Sequence, residues 1–128
     1  MNIEALDLWN RAKKALVAAR TIIHEDPDSS ASRSYYAAFH AVSAYFALNG
    51  KTFTKHSALE SAVHKDLVKP GLWPSDLGRS FSWLASTRST GDYGGGLHVS
   101  EEDAVNAVEK AQQILNFVNI QIPYIFTL

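Results

Sequence analysis

Apolar residues recur every three or four positions through most of the chain, the spacing of one face of an α-helix. Over residues 3–24 the stripe is Leu6, Trp9, Ala12, Leu16, Ala19 and Ile23, with Lys13, Lys14 and Arg20 off it. Asp26-Pro27-Asp28-Ser29 then stops that helix and caps the next, Pro27 suiting a first helical position where an N–H would lack a partner. Residues 29–48 predict a second helix whose apolar face, Tyr35, Ala38, Phe39, Val42, Tyr45 and Phe46, is wider than one neighbour needs. It reads as the central helix of a bundle, closed by Asn49-Gly50. A third helix is expected from Lys55 to Val68, with Ser57 and Glu60 spaced as a capping box and Pro70-Gly71 after it. Ser75 or Asp76 opens a fourth, carrying Leu77, Phe81 and Leu84, and Gly91 with the glycines at 94–96 breaks it. Ser100 followed by Glu101, Glu102 and Asp103 is a strong start for the fifth, because carboxylates complement the positive end of a helix. Its stripe is Ala104, Ala107, Val108, Ala111, Leu115 and Val118. The expected fold is all-α, a five-helix up-and-down bundle over residues 1–118. An apolar tail, 119–128, should pack on that bundle or on a second subunit.

Composition narrows the function classes. The 128 residues suffice for one domain with a real core. Without cysteine there is neither a disulfide framework nor a thiolate metal site. No stretch reaches the roughly 18 apolar residues of a membrane span, and MNIEALDLWNRAKK lacks the pattern of a signal peptide, so the expected location is cytoplasmic. The formal charge is −1, so any contact with nucleic acid has to come from a local cluster of cations.

The run Ser32-Arg33-Ser34-Tyr35-Tyr36-Ala37-Ala38-Phe39-His40-Ala41 resembles the signature of the HEPN family of nucleotide-binding helical domains. So do Lys55-His56-Ser57, the segment from Arg88 to Asp92-Tyr93, and the acidic start of the last helix, in that order over about residues 4–118. The resemblance implies a five-helix bundle that pairs as a homodimer, often beside a nucleotidyltransferase partner protein in a toxin–antitoxin or defence module. Many members are endoribonucleases that need no metal and no cofactor. Their motif is an arginine, four to six residues, then a histidine. Arg88 stands at the arginine position, but Tyr93 stands where a catalytic member carries histidine, and His98 lies ten residues after Arg88. A phenol, with an ordinary pKa of about 10, is a poor proton shuttle at neutral pH.

Other candidate sites follow from the residues. Arg33 and His40, seven positions apart, share a helix face and form a second arginine–histidine pair, read either as a polar site or as ordinary partners near the core. His56, Glu60 and His64 recur every fourth residue, a spacing that is adventitious without a further metal ligand. Lys55, His56, Arg79, Arg88 and Asp92, with Tyr93, could gather around a phosphate-bearing ligand, whereas Arg88 and Asp92 alone suit a helix-end ion pair. Three functions are therefore expected in turn. The first is a dimer acting through a nucleotidyltransferase. The second is a metal-independent endoribonuclease using Arg88 or Arg33 with His40, His56 or His98. The third is a nucleotide-binding regulatory domain.

Overall fold

Helix starts along the chain are set by side chains that satisfy backbone N–H groups left without partners. The computed structural model describes residues 2–121, which contain five α-helices and no strand. Asn2 accepts a hydrogen bond from the Ala5 N–H at 3.0 Å and opens α1, Ile3–Thr21. Its amide also donates to the Ala47 carbonyl at 3.0 Å, tying the start of α1 to the end of the next helix. Asp26 accepts from the Ser29 N–H at 3.1 Å and opens α2, Pro27–Leu48, with Pro27 in the first turn as expected. Gly50, at φ +78°, turns the chain out of α2 with the Lys51 N–H donating back to the Phe46 carbonyl. Ser100 accepts from the Asp103 N–H at 3.0 Å and caps α5, Glu101–Gln121.

The core follows from those helices. α2 packs against α1, α5, a short α3 (His56–Ala62) and α4 (Ser75–Tyr93), its place at the centre of the bundle being the one its wide apolar face requires. Ala31, Ala37, Ala38, Ala41, Ala44 and Ala47 are all buried along it, and such small side chains let neighbouring backbones approach closely. Trp9, Tyr35, Phe81, Leu84 and Leu115 fill the space between. Trp9 and Trp73 are core residues, and Trp83 is half-buried under the Lys110 ammonium.

Several expectations are corrected. The Ser57–Glu60 capping box does not form. α3 spans His56–Ala62 with Lys55 as its cap residue and no side-chain cap bond. Its start is placed instead by His56, whose ring sits edge-on to Phe39 at 4.7 Å. The same segment does not continue as an α-helix to residue 68. Val63–Val68 forms a π-helical turn, seen in the Lys69 N–H bonding to the His64 carbonyl five residues back. That widened turn keeps Val63 and Leu67 buried while His64 bonds Ser82 at 2.8 Å. Gly91 does not break the fourth helix. α4 runs Ser75–Tyr93, and the break falls at Gly94. A Cβ on Gly91 would meet the Asp28 carbonyl oxygen at 3.0 Å and Val99 Cγ2 at 3.3 Å, so glycine here permits close packing of α4 on the start of α2. α5 continues through Gln121, so the first residues of the expected tail are helical, and the remainder of that tail lies outside the described residues.

The Gly91 contact makes a direct prediction. Gly91→Val should cost about 1–3 kcal/mol through overpacking, read as a lower urea midpoint. An unchanged midpoint would mean that the α2–α4 contact yields freely.

Candidate functional site

The last turns of α4 pack on the first half of α2, and there the charged side chains of α4 meet the hydroxyls of Ser32 and Tyr36. Arg88 is the centre of this meeting, with only 15% of its side chain exposed. Its Nη2 donates to the Tyr36 hydroxyl at 3.0 Å, and its Nε lies 3.1 Å from Asp92 Oδ2. The second contact is ionic rather than an aligned hydrogen bond. The guanidinium also lies 5.3 Å from the Tyr35 ring centroid, 5.5 Å from that of Tyr36 and 5.3 Å from that of Tyr93. Asp92 is anchored in turn by the Ser32 hydroxyl at 3.3 Å. Burial works against the charge on Arg88, but Tyr36, Tyr93 and Asp92 together outweigh it and hold the group above its ordinary value. Burial likewise pushes the Tyr35 phenol up to about 12, against the opposing pull of Arg88.

Two imidazoles flank this cluster. His56 packs on Tyr35, Tyr36 and Phe39, and burial followed by the charge of Arg88 holds its pKa below 6.5. His40, one turn beyond Tyr36 on α2, is lowered by burial, then by Arg11 and Arg33, with Asp7 partly offsetting them and His56 adding a little. Its Nδ1 is buried with no hydrogen-bond partner.

The candidate residues from the sequence therefore divide. Arg88, Asp92 and Tyr93 form one cluster with His56 against it, and Arg33 joins its edge with its guanidinium 5.0 Å from the Tyr36 ring. Arg33 and His40 do share a face, and they line one groove between α1 and α2. Arg79 stands apart, paired with Asp76 in the first turn of α4 and roughly 13 Å along the helix from Arg88. Lys55 is exposed at the start of α3. His98 is held by Asp28 at 2.7 Å, and the other Asp28 oxygen accepts the Val99 N–H at 2.7 Å. That backbone bond, and then His98, hold the Asp28 carboxyl below its ordinary value against burial. His56 and His64 face different neighbours, and among the described residues no three potential ligands gather as a metal site.

Sequence reading did not single out Tyr36 or Ser32 as functional. Their spacing of four on α2 was a visible signal, but only the approach of α4 gives it meaning. Arg11 and Lys14 were missed for the same reason, since nothing in a linear stripe tells which residues of α1 lie opposite Arg33.

A helical bundle with this arginine–tyrosine–aspartate cluster at the end of its fourth helix has recognisable relatives. Residues 5–121 match the model of the HEPN domain. A UPF0332 protein of Thermotoga maritima is 32% identical over 115 residues, covering 88% of this chain and 87% of that relative. A UPF0332 protein of Gloeobacter violaceus is 36% identical over 106 residues, covering 81% and 84% respectively. The chain belongs to the HEPN domain family, and within it to the UPF0332 proteins.

The cluster yields two expectations. Asp92→Asn should cost about 1 kcal/mol, because the pair is only partly shielded from solvent. Urea unfolding measures this, and no loss would mean that Tyr36 alone satisfies Arg88. The second concerns pH. His40 and His56 release protons more readily when folded than the ordinary value of 6.5 implies, so at lower pH the unfolded chain binds more protons. Their contribution is complete above about pH 6.5 and declines as pH falls through the folded values. The Asp28 contribution is lost only below 3.8, in a separate window. The urea midpoint should thus drop between pH 7.5 and 5.5, and drop less in a His40→Gln, His56→Gln variant. Parallel curves for the two proteins would remove the histidines as its cause.

Proposed function

We propose that this HEPN protein works as a homodimer through a nucleotidyltransferase-type partner, in a toxin–antitoxin or defence module, and does not cleave RNA by the arginine–histidine mechanism. The observation that supports this reading is the state of Arg88. A catalytic guanidinium has to be free to take up charge developing on a phosphate. Here it is already engaged by Asp92 and the Tyr36 hydroxyl and covered by aromatic rings. The residue five positions on is Tyr93, with 73% of its surface exposed, which suits a contact residue better than a proton shuttle. Leu97, in the segment between α4 and α5, is a second large apolar side chain left exposed. Among the described residues no helix is long and apolar enough to cross a membrane.

A second reading keeps a specific observation in its favour. His56 lies close enough to Arg88 to feel its charge, and His40 lies beside Arg33 with an unpartnered ring nitrogen. An endoribonuclease that uses one of these pairs would need no metal. The third expectation, a nucleotide held by Lys55, Arg79 and Arg88, loses support because Arg79 lies at the opposite end of α4.

One comparison separates the first two. The purified wild-type protein, Arg88→Ala, Arg33→Ala and His40→Ala are incubated with total RNA in the presence of EDTA. Tagged wild-type protein and a Tyr93→Ala, Leu97→Ala variant are expressed in the native host and their co-purifying proteins identified. The expected result is no cleavage by any form, together with recovery of a nucleotidyltransferase by the wild type and roughly tenfold less by the double variant. Cleavage abolished by one of the three single substitutions establishes the ribonuclease instead. A folded dimer that recovers no nucleotidyltransferase overturns the partner assignment.

A further inference from the structure

A pocket at the C-terminal end of α2 lies roughly 13 Å along that helix from Tyr36 and is independent of the partner reading. It sits between the last turn of α2, the chain leaving it and the π-helical turn, and encloses about 170 Å³. The buried Phe46 and Leu67 give it an apolar floor, and Tyr45 and the exposed Leu72 extend the apolar lining. The aromatic side is braced, with Tyr45 edge-on to Trp73 at 5.3 Å and Phe46 edge-on to Phe53 at 5.0 Å. Asn49, Lys51 and Asp66 bring the polar groups. Lys51 Nζ stands 3.4 Å from Asp66 Oδ2, well beyond the roughly 2.7–2.9 Å of a tight charge-assisted bond. Both side chains also reach solvent, and a surface pair of this kind contributes at most about 1 kcal/mol. Parting it therefore costs the fold little. Asp66 comes from the π-helical turn, a local departure from regular winding of the kind that often accompanies a functional site.

We propose that this pocket binds a free α-amino acid with a branched apolar side chain, of the size of leucine. The ligand carboxylate takes the Lys51 ammonium, its ammonium takes the Asp66 carboxylate, and its side chain covers Phe46 and Leu67. Asn49 assists at the ammonium. Its Nδ2 already donates to the Tyr45 carbonyl at 3.1 Å, so the amide oxygen is the acceptor it has to offer. A molecule with one charge of each sign can enter between Lys51 and Asp66 and give each a new partner. An amine or an acid of the same shape takes one partner away and returns nothing to the other. Size agrees with this choice, because an apolar cavity of about 150 Å³ accepts benzene, and an isobutyl group is smaller. The side chain thus fits inside while the charged head stays at the mouth. A bound ligand would join the end of α2 to the π-helical turn through two ion pairs in place of one loose one, and so favour the folded state.

The test is titration of the full-length protein with L-leucine up to about 10 mM, followed by amide NMR spectra. Glycine, isoamylamine and isocaproate are titrated in parallel, as leucine without its side chain, its carboxylate and its ammonium. Lys51→Gln and Asp66→Asn are compared with Lys65→Ala, an exposed lysine on the same π-helical turn. The spectra also confirm that each variant is folded, and Lys51→Gln, at an exposed position, decides alone where Asp66→Asn is not. The expected result is saturable binding of L-leucine with shifts centred on residues 45–51 and 66–72. The three analogues should bind at least about tenfold more weakly, as should L-leucine to either charge variant, while Lys65→Ala matches the wild type. No saturable shift with L-leucine overturns the proposal, as do shifts centred elsewhere on the chain or wild-type affinity in Lys51→Gln. Equal binding of isoamylamine or isocaproate replaces the amino acid with a singly charged ligand and overturns it too.

Discussion

A guanidinium pressed between two helices imposes a demand that the rest of this site is arranged to meet. Arg88 holds its charge where water reaches it only in part, so it calls for a counter-ion, a hydrogen-bond acceptor and polarisable surfaces within its own reach. Asp92 supplies the first from the next turn of α4, Tyr36 the second from α2, and the rings of Tyr35, Tyr36 and Tyr93 the third. Each of these fixes something else. Asp92 holds Ser32, Tyr36 also carries Arg33, and the charge of Arg88 reaches His56 at the start of α3. One half-buried cation thereby links three helices.

The helical stripes were legible because burial in a bundle is periodic. Leu16, Ala19, Ala38, Val42, Ala107 and Val118 are buried where the spacing puts them. The departures arise where a tertiary contact overrides a local preference. Ser57 and Glu60 have the right spacing for a capping box, yet the docking of His56 among aromatic rings decides where α3 begins. A glycine at 91 reads as a breaker in one dimension and is a packing residue in three, because Asp28 and Val99 press against it. The Arg88–Asp92 pair was readable from its i, i+4 spacing. The acceptor at Tyr36, fifty-two positions away, was not, and neither was the meeting of Arg11 and Lys14 with Arg33.

The two cationic regions behave differently because their counter-ions differ. At Arg88 the charge is matched within the fold, so the cluster is a stabilising joint with a narrow margin for substitution. In the α1–α2 groove the cations outnumber the single nearby carboxylate, so their charge is not matched within the fold. Tyr36 belongs to both, through Arg33 on one side and Arg88 on the other.

The glycine-rich segment after α4 is fastened at both ends to the first two turns of α2. Asp92 meets Ser32 before it, and the Val99 N–H meets Asp28 after it. Between those two clasps the chain only has to close a short loop, and the entropy of closure grows slowly with length, by about 0.6 kcal/mol for each doubling. Extra residues at this point would therefore cost the bundle little, since neither α4 nor α5 need shift to accommodate them. The same clasps deny that freedom to residue 93, which lies one position past the first of them. Tyr93 is a fixed post beside an elastic stretch of chain, and evolution can lengthen the stretch without moving the post.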